Sequence, residues 1–293
     1  MALPFVQELI FGVVTGSYIA IGAIGFTMVY GLVNMINFAH GEYMTVGAYL
    51  GFVAAESLGL PVTLALVPVM LVSGLAGWLL AWLVFEPLSD TGPIPLLLTS
   101  IGLGLIMRNG IRLVASPEKR YVDLNAPTYR FEDLGFFITG QHLLLIGVTA
   151  VAVVGVHLFL TRTKMGKAMR AMSDNEALAK VTGIQTRRMR AIVWILASAF
   201  AGLAGYMLAI GQGATPHTGF SQLLLVITAA ILGGAGSVYG AVVGAYVLGI
   251  TVSLAIALLP SWASELGTTM AFVMLVLVLL VRPGGITGEE VSA

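Results

Sequence analysis

In the stretch GLVNMINFAHGEY (31–43), Asn34, Asn37, His40 and Glu42 stand within nine positions of one another, between two strongly apolar runs. An imidazole beside a carboxylate could relay a proton or serve general acid–base catalysis. Amide side chains in the same place could hold a polar substrate by hydrogen bonds. A charged side chain at a helix centre costs about 2.5–3.5 kcal/mol on insertion scales, so such a cluster needs a cavity, a partner or an interface. Two readings follow. In one, Asn34, Asn37 and His40 belong to a broken helix that re-enters the bundle and, with Glu42, line a pathway. In the other, His40 and Glu42 flank Gly41 in a turn at the cytoplasmic edge, where Glu42 costs little. Either way Gly31 and Gly41 bracket a segment that leaves regular helix.

A second candidate stretch is LLLTSIGLGLIMRNGIRL (96–113). Thr99 and Ser100 could line the same pathway, or simply bond back to the preceding helical turn. Arg108 and Arg112, four apart, share one helix face. Near an outer helix end they need only snorkel to the interface, though they could also meet acidic residues of an external protein. The four histidines, His40, His142, His157 and His217, lack metal-ligand spacing. Gly166-Lys167 is followed by Ala-Met and lacks the upstream glycine of a phosphate loop. No Ser-His-Asp arrangement is legible. The chain is therefore expected to carry no enzyme chemistry, metal or cofactor of its own.

The elements that must position these groups follow from composition. The 293 residues are 58% hydrophobic and only 10% charged, against about 25% charged in soluble domains. A net charge of zero argues against a nucleic-acid partner. Cysteine is absent, so there is no disulfide frame or thiolate chemistry. Met1–Val14 has no Lys or Arg, and so lacks the basic region of a signal peptide. Apolar stretches near 9–30, 62–85, 94–114, 142–161, 191–210, 239–259 and 266–281 have the length of membrane helices. Shorter ones at 41–57 and 221–236 bring the expectation to eight or nine spans in a single all-α transmembrane domain, 1–293.

Lys and Arg set the orientation. The segment 162–190 holds eight of them against Asp174 and Glu176, whereas 115–141 is acidic on balance. The positive-inside rule puts 162–190 in the cytoplasm and 115–141 outside, with the N-terminus outside. GEYMTVGAYLG (41–51) and GAVVGAYVLG (240–249) share a Gly-Ala-Tyr core beside Gly- or Asn-rich breaks. That leaves open an inverted repeat whose broken helices meet at a central site. Four glycines in ILGGAGSVYG (231–240) point to a helix break or very close backbone packing.

Within 162–190, Ser173-Asp174-Asn175-Glu176 reads as a capping box starting a helix over 174–182, with Gly183 as its left-handed terminator. The flanking basic residues read as lipid-headgroup contacts and topology signals. Ala177, Leu178 and Val181 would be free to dock on another protein.

INFAHGE followed by GAY, then GKAMRAMSDNEALAKVTGI, then AILGGAGSVYGAVVGAYVLG resemble the permeases of branched-chain amino-acid ABC importers, in particular the H-type subunit. The resemblance runs from about residue 10 to Pro283. It implies an inner-membrane permease that works with a second related permease, two ATPase subunits that carry the ATP, and an external binding protein. It also implies residues 166–184 as the ATPase contact: Gly166, Arg170, Ser173, Asn175, Glu176, Ala177, Leu178 and Gly183. Urea and short-amide permeases share the motifs, and the short N-terminus favours amino acids over them. A secondary transporter driven by protons or sodium would need a free intramembrane carboxylate, for which only Glu42 qualifies.

Overall fold

A computed structural model describes residues 3–89, 91–115, 118–124, 126–131, 135–259, 266–282 and 284–287. Its centre is made by α1 (Leu3–Val33) and α8 (Thr186–Gln212), the two most enclosed of the six long apolar helices. Around them stand α2 (His40–Phe52), α3 (Val62–Leu80), α4 (Pro93–Val114), α5 (Gly140–Arg162), α9 (Thr218–Gly233), α10 (Val238–Leu258) and α11 (Gly267–Val281). α2 and α3 are each prolonged by a wider π turn, Val53–Ser57 and Ala81–Phe85. Two small helices, α6 (Lys164–Asp174) and α7 (Glu176–Val181), fill the segment between α5 and α8. A two-stranded antiparallel hairpin, β1 (Thr128–Phe131) with β2 (Phe136–Thr139), precedes α5. Glu132 and Asp133, counted above as external acids, lie outside the described residues, as do the last residues of the tail.

The bundle is all-α and made for a membrane: six described helices are long and apolar enough to cross one, and α9 and the Thr269–Val281 stretch are shorter apolar helices. Lipid offers no hydrophobic drive between helices, so they approach through small residues instead. A side chain on Gly219 would run into the Gly41 carbonyl, and one on Gly233 into Gly240. These contacts let α9 lie directly against α2 and α10.

The two ends of the bundle differ. At one, Phe137 N–H donates to Gln7, Asp123 N–H to Glu56, and Arg120 bridges to Ala214. At the other, Gly31, Glu86, Gly236 and Thr287 gather around the basic segment 162–190. Gln7, near the N-terminus, thus stands at the end opposite the basic segment 162–190. The two Gly-Ala-Tyr breaks, however, share one end, since Gly31 lies against Gly236. Equivalent breaks of an inverted repeat would stand at opposite ends, so this tripeptide does not mark an inversion.

The capping box is also corrected. α6 runs through Ser173 and Asp174, because the Ser173 hydroxyl donates to Gly31 O at 2.7 Å instead of capping. Asn175, in extended backbone (φ −159°, ψ 100°), takes the N-cap of α7, its Oδ1 accepting from Leu178 N at 2.9 Å. Glu176 turns to Arg190 at 2.6 Å. The far end is as expected: Gly183 has φ +88°, and its N–H and that of Ile184 return to Lys180 O and Ala179 O. That is the paired bonding of a Schellman stop.

Candidate substrate pathway and coupling segment

α1 ends at Asn34, whose N–H still bonds Tyr30 O while φ swings to +51°. Asn tolerates this left-handed region better than other non-glycine residues. The chain then turns back along α1, and α2 starts where His40 Nε2 meets Gly22 O at 2.9 Å, well inside α1. To bond a carbonyl, Nε2 must carry the proton. Phe26 stands edge-on to the ring at 5.7 Å. Two side chains hold the returning strand. Asn37 Oδ1 accepts from Ala39 N at 3.0 Å, and Ser100 Oγ accepts from Phe38 N at 3.0 Å while donating to Leu97 O at 2.7 Å. Ser100 therefore does both things: it bonds back within its own helix, and it pins the break from α4.

One turn into α2, Glu42 is fully buried. Arg108 of α4 reaches it with Nε and Nη2, both donating to Oε1, at 2.8 and 2.5 Å. The guanidinium also lies 3.8 Å from the centre of the Phe220 ring of α9. A desolvated cation on an aromatic face gains on the order of 2 kcal/mol. Thr45 completes the junction, its hydroxyl donating to Gly41 O and accepting from Gly219 N at 3.1 Å. Arg112, one turn beyond Arg108, meets His217. Glu42 Oε2, Asn37 Nδ2, Tyr43 OH and Thr27 Oγ1 are buried without a hydrogen-bond partner.

Of the residues expected on the pathway, Asn37, His40, Glu42 and Ser100 are brought together. Asn34 is exposed at the end of α1 and Thr99 is half-buried on α4 outside the junction. Two expectations change. Glu42 is not an interfacial residue of a turn but half of a buried ion pair. Arg108, whose side chain is 13% exposed, does not snorkel but answers Glu42. The signal was present: a lone acid in apolar sequence demands a cation, and Arg108 is the first positive residue in the chain. Phe220 and Thr45 carried no such signal.

The segment 162–190 is built differently. Gly166 is buried because any side chain there would strike the Phe159 carbonyl and Leu160, and Thr163 caps α6 by accepting from its N–H at 2.9 Å. Arg170, Ser173, Asn175, Glu176, Ala177, Leu178 and Gly183 are all exposed. Leu178 and Val181 are 61% and 86% exposed, while Ala179 turns inward onto Met172 and Met189. α7 thus offers a small apolar face outward and holds its place through the opposite one.

The family described as branched-chain amino acid transport system / permease component matches residues 9–279. The high-affinity branched-chain amino acid transport system permease protein LivH of Escherichia coli (strain K12) is 32% identical, over 98% of this chain and 96% of its own length. BraD of Pseudomonas aeruginosa, with the same description, is 32% identical over 97% of this chain and 96% of its own. The permease protein LivM of Escherichia coli is more distant, 24% identical over 92% of this chain and 67% of its own length. Among solved structures, PsaBC from Streptococcus pneumoniae in complex with Fab shares the fold, with a TM-score of 0.53 and 15% identity over 97% of each chain. The broken α1–α2 junction and the exposed α6–α7 segment are thus features of a chain that belongs to the family of permease components of branched-chain amino acid transport systems.

Proposed function

We propose that this chain is the transmembrane permease subunit of an ATP-driven, binding-protein-dependent importer of branched-chain amino acids in the inner membrane. The observation that carries the reading is α7, a capped six-residue helix with an outward apolar face, on the basic end of a membrane bundle. In the proposal, Ala177, Leu178 and Val181 meet one of two ATPase subunits, and Gly166 and Gly183 fix the segment's angle. A second, related permease completes the membrane unit, which the weaker likeness to LivM supports. A binding protein delivers substrate at the opposite end.

The reading includes nine crossings with the N-terminus outside. α9, at 16 residues, is about 24 Å long, short of a core of about 30 Å. α2 with its π turn is a broken span that starts inside the bundle. Closure of the ATPases pushes α6 and α7. Ser173 transmits the push to Gly31 at the foot of α1, and the α1–α2 break moves against α4 and α9. Asn37, His40, Glu42 and Ser100 line or shape the pathway at that break, with Asn34 and Thr99 at its margin. Glu42 already has a guanidinium partner, so it is poorly suited to bind the coupling ion of a secondary transporter.

Reconstitution with the ATPase, second permease and binding-protein partners, followed by labelled-leucine uptake, tests the proposal. Uptake is expected to require ATP and every partner. Uptake driven by an ion gradient without ATPase would overturn it. Urea or acetamide displacing leucine at equal concentration would move the substrate class to short amides.

A further inference from the structure

A cavity of about 470 Å³ lies where the end of α3 meets the start of α8, lined by Trp78, Trp82, Trp194, Glu86, Arg187 and Arg188 among others. The chain has four tryptophans, and three of them stand here. Trp194 is buried and stacks on Phe85 at 5.0 Å with planes 6° apart, which makes a rigid floor. Trp78 and Trp82 form an exposed wall. That wall continues along α3 as Leu71, Leu75 and Leu79, all exposed.

The charges at the mouth do not cancel. Glu86 accepts from Arg190 at 3.3 Å, and Arg190 is shared with Glu176. Arg187 reaches Glu86 only at 4.0 Å and is 76% exposed. Arg188 makes no ion pair among the described residues. The cavity therefore has an aromatic wall leading into an apolar stripe on one side and a surplus of guanidinium on the other.

We propose that this cavity binds an anionic phospholipid, its phosphate held by Arg187 and Arg188 and its acyl chains laid along Trp78, Trp82 and the leucine stripe of α3. Guanidinium forks match phosphate oxygens. Indole rings favour the headgroup level of a bilayer, and basic side chains at a cytoplasmic surface attract anionic lipid. An acidic protein surface would satisfy Arg188 but would have no use for the apolar stripe. The inference rests on the assignment of this end to the cytoplasm and is independent of the transported substrate.

The test uses the purified permease with its partner subunits. Retention of phosphatidylglycerol and of phosphatidylcholine with the same acyl chains is measured by native mass spectrometry and by titration into lipid-stripped complex. Phosphatidylglycerol is expected to be retained in preference. Arg187→Gln with Arg188→Gln should weaken it roughly 30-fold, from the usual contribution of two basic side chains at a membrane surface. Trp78→Leu with Trp82→Leu should weaken both lipids several-fold. Arg187→Lys with Arg188→Lys should keep the preference for phosphatidylglycerol through charge while weakening it several-fold through loss of the fork, which controls for misfolding of the neutral pair. Equal retention of the two lipids, or an equal loss from Arg162→Gln with Lys164→Gln, would overturn the site. So would displacement of the lipid by submillimolar inorganic phosphate, or neutral variants that lose the ATPase subunits while binding lipid normally.

Discussion

The α1–α2 break and the α6–α7 segment both interrupt regular helix with polar residues and glycine, yet distant bonds dominate in one and local caps in the other. At the break, polar groups are answered from distant helices: Phe38 by Ser100, Glu42 by Arg108, and Gly219 by Thr45. In α6–α7, the caps come from within a few residues, Thr163 to Gly166 and Asn175 to Leu178. A region tied from several helices moves only when those helices move. A region whose turns are capped locally keeps its own shape while staying joined to the bundle at Ser173–Gly31 and Glu176–Arg190. The proposed pathway and coupling roles rest on that difference.

The largest expected effect is at the ion pair. Arg108→Leu leaves Glu42 buried without a partner and should cost about 3–5 kcal/mol, read as a lower unfolding midpoint of the solubilised protein. Glu42→Leu added to it should recover most of that loss. A double variant no more stable than the single one would deny that the pair ties the break together.

Next comes Gly219→Ala, whose methyl group meets the Gly41 carbonyl. Overpacking of this kind costs about 1–3 kcal/mol and should lower both stability and leucine uptake. An unchanged midpoint would mean that α9 and α2 can separate freely. Smaller again is Gly183→Ala, which puts a side chain at φ +88°. It should cost about 1–2 kcal/mol locally, seen as faster amide exchange in α7 with the global midpoint nearly unchanged. Leu178→Asp should leave stability untouched and abolish co-purification of the proposed ATPase partner. Loss of stability with association intact would reverse the contrast drawn between the two regions.

Much of this was legible in the sequence, and the boundary is instructive. The long helices followed from apolar runs, the left-handed stop at Gly183 from its place after α7, and the break from Gly31 and Gly41 around a polar cluster. Ser173 shows where such reading fails. Ser-x-x-Glu specifies a capping box only when both side chains are free to cap. Here the Gly31 carbonyl takes the serine and Arg190 takes the glutamate. Glu42 shows a related limit: its linear position left open the bundle's edge and its interior, and the backtracking of residues 34–39 carried it inside.

The sequence by itself determined a polytopic helical membrane protein, its charge-marked end, and a short helix within 162–190 stopped by Gly183. These rest on periodicity, composition and bonds spanning a few residues, whose partners helix geometry fixes in advance. Only the tertiary structure decided that Arg108 answers Glu42, that Ser100 pins the returning strand, and that Gly41 faces Gly219. Each of those pairs closes a loop of more than sixty residues. Which groups meet across such a loop depends on how the helices stack, and no local spacing records it.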